Sequence, residues 1–242
     1  MAQLNKNKSI SGTIGNIVFR EVDKKQILQA KPGPIKQTQE TKASGSEFRQ
    51  CSRWAKWLRL GLTSFLANHT DHYMYSRLAG QLYTSLQTNT ALAKGVRTPL
   101  NSNMDSLGGF EFNTHSPFSE YFIPNITAIL NDQNQVIITV PSFNPKTGMR
   151  FAKDTEKAEL LLYVMATNFD HTSGYKDGYT ILPIEKKEGT VAETVWTTPI
   201  LPEGHLILVC AKLLYYNTTK FTEKNYVNSK ECSPAMIIGV GH

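Results

Sequence analysis

The sequence predicts an α+β fold in three parts: an N-terminal β-hairpin arm, a helical hairpin and a C-terminal antiparallel β-sandwich. Strand-forming residues open the chain, an apolar stripe at helical spacing comes next, and short strand-like runs between turns fill the second half. The predicted boundaries are 1–36 for the arm and its linker, 37–94 for the helical hairpin, 95–125 for an irregular packed segment and 126–242 for the sandwich.

The arm is predicted from two strand-like segments, 14–22 and 26–31, joined by a polar turn. An isolated hairpin is at best marginally stable in water. Because a Pro-Gly-Pro joint separates it from the rest of the chain, we expect this hairpin to lie on another surface, of its own chain or of a neighbouring copy. The arm residues predicted to form subunit contacts are Ile17, Phe19, Val22 and Ile27.

The helical hairpin is predicted from hydrophobic spacing. A first helix begins near Ser44 or Ser46, either of which serves as its N-cap, and a second spans residues 73–88. The apolar stripe of the first helix predicts that it docks against a partner surface. This stripe consists of Phe48, Cys51, Ala55, Leu58, Leu62 and Phe65.

Positive charge is concentrated at the front of the chain. Residues 1–66 carry twelve basic and four acidic side chains, whereas the remaining 176 carry fourteen basic and sixteen acidic ones. On the first helix, basic residues interleave with two tryptophans, which suits phosphate and base contacts, an anionic membrane surface, or a solvated face with the tryptophans covered by protein. Trp54 and Trp57 are predicted as subunit contacts, and Arg49, Arg53, Lys56 and Arg59 as the alternative nucleic-acid site.

Short strands separated by turns are predicted in the rear half. The preceding segment, 95–125, is rich in glycine and proline but also in aromatic residues, so we expect it to pack across a surface. Seven strands without intervening helices are typical of an antiparallel sandwich. The predicted strands are 126–130, 135–140, 158–166, 179–185, 190–197, 206–215 and 235–240.

Two resemblances bear on this rear half and on the front. Leu201-Pro-Glu-Gly, which leads into an apolar run, is similar to the turn entering a central strand of fibronectin type III-like domains, within the wider fibronectin/immunoglobulin-like class. Gly12-Thr-Ile-Gly-Asn-Ile-Val-Phe-Arg, Gln29-Ala-Lys-Pro and Lys157-Ala-Glu-Leu-Leu-Leu-Tyr resemble an uncharacterised family from the Bacteroidetes. That resemblance implies an N-terminal hairpin before a β-rich half, and it implies no catalytic residues.

Signatures of catalysis and of cofactor binding are missing from the sequence. It has no phosphate-binding loop, no dinucleotide fingerprint and no H-E-x-x-H motif. The densest set of metal ligands, His69, Asp71 and His72, fits a polar loop between helices at least as simply as a zinc site. We therefore predict a non-enzymatic protein with no metal and no cofactor.

The sequence also limits the compartment. No apolar run is long enough to cross a membrane, and the polar first residues lack the apolar core of a signal peptide. A cytoplasmic protein is the expectation, while assembly into an extracellular structure or particle stays open.

The preferred interpretation is a bacterial structural protein that self-assembles. Its arm and first helix would contact other copies in a homo-oligomer, or the subunits of a larger protein assembly. The alternative is nucleic-acid binding through the basic N-terminal segment.

Overall fold

A computed structural model describes residues 2–5, 9–23, 25–33, 36–170 and 174–242. The chain forms two compact units, residues 1–42 and 43–242. Within the described residues, α-helices combine with strands in antiparallel sheets, which confirms the predicted α+β class.

The first unit contains a four-stranded antiparallel sheet in the order β1-β2-β3-β4, where a two-stranded hairpin was predicted. The predicted strand 26–31 overlaps β4, whereas the predicted strand 14–22 contains β3 together with the end of β2 and the turn between them; β1 and β2 continue the sheet beyond β3. A tight turn joins β2 to β3 at Gly15, whose φ of 58° favours glycine. The strands are β1 (Gln3–Leu4), β2 (Ile10–Ile14), β3 (Ile17–Val22) and β4 (Lys25–Ala30).

Helix α1 (Gln39–Gly61) begins earlier than predicted. The side-chain oxygen of Thr38 accepts a hydrogen bond from the amide of Thr41 (3.2 Å), so Thr38 caps the helix ahead of the serines chosen from the sequence. After the short helix α2 (Thr63–Leu66), helix α3 (Met74–Thr88) lies where the second helix was predicted. The hydroxyl of Tyr75 donates to the carbonyl of Ser52 (2.6 Å), which links α3 to α1.

Two antiparallel sheets come next in the second unit. One is five-stranded, with the order β11-β10-β7-β8 and with β12 also paired to β10; the other is three-stranded, with the order β5-β6-β9. All seven predicted strands are present within a few residues of their expected bounds, and β11 was not predicted. The strands are β5 (Thr127–Leu130), β6 (Val136–Val140), β7 (Lys157–Thr167), β8 (Tyr175–Glu185), β9 (Thr194–Thr197), β10 (Leu206–Asn217), β11 (Asn225–Tyr226) and β12 (Ala235–Gly241).

The five-stranded sheet is covered on both faces. On β7, Tyr163 and Met165 pack with the helices, whereas Leu162 and Val164 pack with the three-stranded sheet. Strand β10 alternates in the same way, so its residues are buried almost without interruption. Because both faces are covered, these strands are continuously apolar rather than alternating.

The segment between α3 and β5 packs against the edge of this sheet. The amide of Phe112 donates to the carbonyl of Ala235 (2.8 Å), and the amide of Ile237 donates to the carbonyl of Phe110 (3.0 Å), which adds backbone pairing to β12. A 3₁₀ turn (Asp105–Leu107) and helix α4 (Phe118–Tyr121) lie in this segment, and α5 (Pro145–Gly148) lies after β6.

Helix α1 meets the sheet at very short range. A side chain added at Gly61 would place its Cβ 2.4 Å from the sulfur of Met165 on β7. The hydroxyl of Tyr163 donates to a carboxylate oxygen of Asp177 (2.8 Å) and lies 3.2 Å from the carbonyl oxygen of Gly61. Glycine therefore permits the contact that seats the end of α1 on β7.

Candidate functional site

The four-stranded sheet has one strongly apolar face. Directly paired residues of antiparallel strands share a face, and the register pairs Phe19 with both Gly12 and Leu28, Ile17 with Ile14, and Leu4 with Ile10. We call this side the apolar face. Its apolar side chains are Leu4, Ile10, Ile14, Ile17, Phe19 and Leu28.

This face lacks the burial that its composition requires. None of the described residues from 2 to 33 is buried. The exposed fractions are 71% for Leu4, 57% for Ile14, 45% for Ile17 and 58% for Leu28. These side chains leave on the order of 500 Å² of contiguous apolar surface, the size at which surface patches usually mark an interaction site.

The opposite face is mixed in character. Arg20 donates to the side-chain oxygen of Gln29 (2.7 Å) across the two strands β3 and β4. The two predicted contact residues on this side, Val22 and Ile27, stand among polar neighbours. The structure therefore divides the predicted arm contacts, with Ile17 and Phe19 on the apolar face and the other two behind it.

One end of the apolar face is closed by side-chain hydrogen bonds. The side-chain amide of Gln26 accepts from the amide of Ile10 (2.9 Å) and donates to its carbonyl (2.7 Å), which ties β4 to β2 across β3. The hydroxyl of Ser9 donates to the carboxylate of Glu21 at the same end. These bonds fix the sheet as a unit.

The two tryptophans of α1 contact the five-stranded sheet of their own chain. The indole nitrogen of Trp57 donates to the hydroxyl of Thr167 (2.8 Å), and the ring of Trp54 lies 6.1 Å from that of Phe169. Both remain half-buried. Their role as subunit contacts stays a prediction.

The four basic residues of α1 share one exposed side of the helix. Arg49, Arg53, Lys56 and Arg59 recur at helical spacing, and each is exposed. The guanidinium of Arg59 lies over the ring of Tyr75 at 5.4 Å. Within the described part of the chain, none of the four forms an ion pair, so their charge faces solvent.

The loop with His69, Asp71 and His72 leads into helix α3. The carboxylate of Asp71 accepts from the amides of Tyr73 (2.8 Å) and Thr114 (3.2 Å) and is paired with Arg77. Burial opposes this ionisation, but the bonds from Arg77 and Thr114 hold the pKa of Asp71 below its usual value. The carboxylate is thus already satisfied by hydrogen bonds.

Nearby positive charge also disfavours a cation at this loop. Burial, Lys212 and Lys230 lower the pKa of His69. Among the described residues, no three His, Cys, Asp or Glu side chains are grouped so as to hold a metal ion.

Two buried polar residues of the second unit escaped the sequence interpretation. Glu47, 2% exposed, accepts from the side chain of Gln87 (2.6 Å) and the amide of Gly95 (3.2 Å). Lys212, 1% exposed, donates to the carbonyls of Phe65 (2.8 Å) and Leu66 (3.1 Å). Glu47 joins α1 to α3 and to the segment that follows it, and Lys212 joins β10 to α2. The one signal in the sequence was Lys212 itself, a charge inside an otherwise apolar strand.

The comparisons with known proteins give no family for this chain. No family model, no characterised protein and no solved structure matches it. The resemblance to an uncharacterised Bacteroidetes family therefore stays a prediction. In the described residues, no helix combines the length and apolar character needed to cross a membrane.

Proposed function

We propose that this chain is a non-enzymatic structural subunit that assembles with copies of itself through its N-terminal sheet. The observation that carries the proposal is an apolar face on a sheet with no buried residue among those described. At about 25 cal/mol per Å², burying that face would contribute on the order of 10 kcal/mol before the entropy of association is subtracted.

A second copy is the partner that suits this face best. Two sheets stack about 10 Å apart when apolar side chains of both inner faces interdigitate. An identical face supplies such a partner across a two-fold axis, the commonest symmetry of soluble oligomers. Glu21 and Gln26 lie at one end of this face, next to Ile10, and the Glu21 carboxylate already accepts a hydrogen bond from Ser9, so packing there does not leave it without a partner.

The test is a pair of variants at equal exposure. Ile17→Lys places a charge on the apolar face, whereas Val22→Lys places one on the opposite face, and the native side chains are 45% and 44% exposed. We expect Ile17→Lys to lower the assembly mass in light scattering and Val22→Lys to leave it near the wild-type value. A wild-type protein that is monomeric at all concentrations would refute the proposal, as would equal masses for both variants and the wild type.

Nucleic-acid binding is the second candidate, favoured by the exposed basic side of α1. Log K should fall by about 0.9 per log unit of salt for each phosphate contacted. Replacing Arg49, Arg53, Lys56 and Arg59 by glutamine should abolish binding of duplex or single strands. Absence of wild-type binding at low salt would end this candidate.

For the second unit, we propose a fibronectin type III-like sandwich made of its two sheets. The support is a shared core in which Ile138 of β6 packs with Leu162 of β7 and Val209 of β10. The helices on the outer face of the larger sheet would then be an addition to that sandwich. A determined structure in which the smaller sheet lies away from β7 would contradict this assignment.

A further inference from the structure

Strand β4 has a free edge whose hydrogen-bonding groups can be assigned. Among the described residues it pairs with β3 alone. The amide of Lys31, just beyond the strand, donates to the carbonyl of Asn16 (2.6 Å), towards β3. Because this direction alternates along an antiparallel strand, Gln26, Leu28 and Ala30 direct their amides and carbonyls outward.

Apart from Lys25 at its start, the edge also lacks the usual protection. It is six residues long, contains no proline, and pairs with β3 without a register shift, whereas the edge strand β1 has two residues. Long regular edges of this kind are templates for another strand.

We infer that β4 pairs antiparallel with β4 of a second copy across a two-fold axis, which joins the two N-terminal sheets into one. This inference rests on the proposed self-assembly and names its partner segment. The outward-directed amides and carbonyls of one β4 must face those of the other, so each even-numbered residue lies opposite an even-numbered residue of the second copy. The two-fold axis therefore passes beside one residue of β4 and not between two neighbouring residues.

Charge favours one of the two axis positions, beside Ile27 or beside Leu28, that pair the longest stretch of β4. An axis beside Leu28 would set Lys25 opposite Lys31 of the partner subunit, and like charges directly opposite each other destabilise a pair. An axis beside Ile27 sets Lys25 opposite Gln29 of the partner subunit and brings Asp23 towards the partner's Lys31. Pairing centred on Ile27 therefore removes the repulsion and adds complementary charge.

The area of the apolar face supports the same arrangement. Stable interfaces bury about 800 Å² on each partner, more than the ~500 Å² of one apolar face. Pairing through β4 keeps side chains on their own side of the sheet, so two apolar faces become one surface of roughly twice that area. The paired sheets can then stack on another pair with enough apolar area for a stable contact.

Cross-linking tests this pairing without breaking the sheet. Residues opposite each other without mutual hydrogen bonds have Cα atoms about 4.5 Å apart, within disulfide range. Ile27→Cys should therefore give a covalent dimer on mild oxidation. Val18→Cys, on the same face but in β3 between two strands, should not, and neither should the native chain.

A mixed experiment fixes the register. Chains with Lys25→Cys and chains with Gln29→Cys should cross-link to each other far more than either does to itself. Circular dichroism and thermal unfolding verify that each variant is folded. If one variant fails to fold, the other cross-linking experiment still tests the β4 pairing.

The outcomes separate this inference from the proposed function. If the wild type assembles and Ile17→Lys reduces its mass, but neither Ile27→Cys nor the mixed chains cross-link, the β4 pairing is wrong and self-assembly stands. If the wild type is monomeric in light scattering, both are wrong. Cross-linking between Lys25→Cys chains and Lys31→Cys chains instead would overturn the register centred on Ile27.

Discussion

The ammonium of Lys212, in the middle of strand β10, donates a 2.8 Å hydrogen bond to the carbonyl of Phe65 at the end of helix α2. Carbonyls at a helix end have no partner within the helix, so the lysine satisfies one of them. The same contact joins the sheet to the helices. Its energetic cost is the burial of a charge, and that cost depends on pH.

We predict that Lys212 makes stability rise with pH above about 8. Burial lowers the pKa of Lys212 to about 8, below its ordinary value of 10.5. Between these values the unfolded chain binds more protons than the folded one, so the free energy of unfolding increases with pH. The gain from this group should approach about 3 kcal/mol by pH 10.5.

The measurement is a difference between proteins. Buried Tyr163, Tyr215 and Cys210 have raised pKa values, chiefly from burial, and act in the opposite direction at high pH. Urea unfolding of the wild type and of Lys212→Met from pH 7 to 10.5 cancels those contributions. The gap should widen in favour of the wild type as pH rises. Exposed Lys220→Met is the control, and parallel curves for Lys212→Met would contradict the prediction.

A second prediction compares two helical glycines. Gly61→Ala should destabilise the protein by about 1–3 kcal/mol because the new methyl group meets the sulfur of buried Met165. Gly80→Ala in α3 meets no atom within 4 Å and should stabilise by about 0.5–1 kcal/mol through helix propensity. Chemical denaturation of both variants measures the two shifts, and shifts of equal sign would contradict this account.

A double-mutant cycle assigns the strain at Gly61. Met165→Ala alone should cost about 2–5 kcal/mol through the cavity that it leaves. If the methyl group of Gly61→Ala occupies part of that cavity, the double variant should be more stable than the sum of the single effects. Additive losses would place the strain elsewhere.

A third prediction concerns the buried carboxylate of α1. Glu47→Ala should destabilise by about 3 kcal/mol because it leaves the amides of Gln87 and Gly95 without their acceptor. Glu40→Ala, at an exposed position near the start of the same helix, should change stability by less than about 0.5 kcal/mol. Calorimetry of the two variants provides the comparison, and similar melting temperatures would refute the role of Glu47.

The strands of the rear half could be predicted because turn residues separate them clearly. The elements that cover the two faces of these strands could not be predicted from the turn residues. The apolar runs in β7 and β10 were assigned to a sandwich, although burial on both faces also required the helices as a second cover. The start of α1 was missed because Thr38, rather than a later serine, supplies the cap.

The candidate site was only half predictable for a similar reason. Ile17 and Phe19 were selected together with Val22 and Ile27, since composition identifies strand residues without assigning their faces. Once β2 is paired to β3, Ile14 joins the apolar side. Strand β2 itself was not predicted; it contains Gly12, whose φ of 114° is unusual for a strand residue.

The lysine in β10 also solves a problem of alignment. A strand that is apolar on both faces has little to distinguish one register from the next, because a shift by one residue only exchanges one apolar face for the other. Displacing Lys212 by one position would turn its ammonium towards Leu162 and Val209, away from the carbonyls of Phe65 and Leu66. The single charge of Lys212 thus fixes the register of a strand whose other residues would tolerate a register shift.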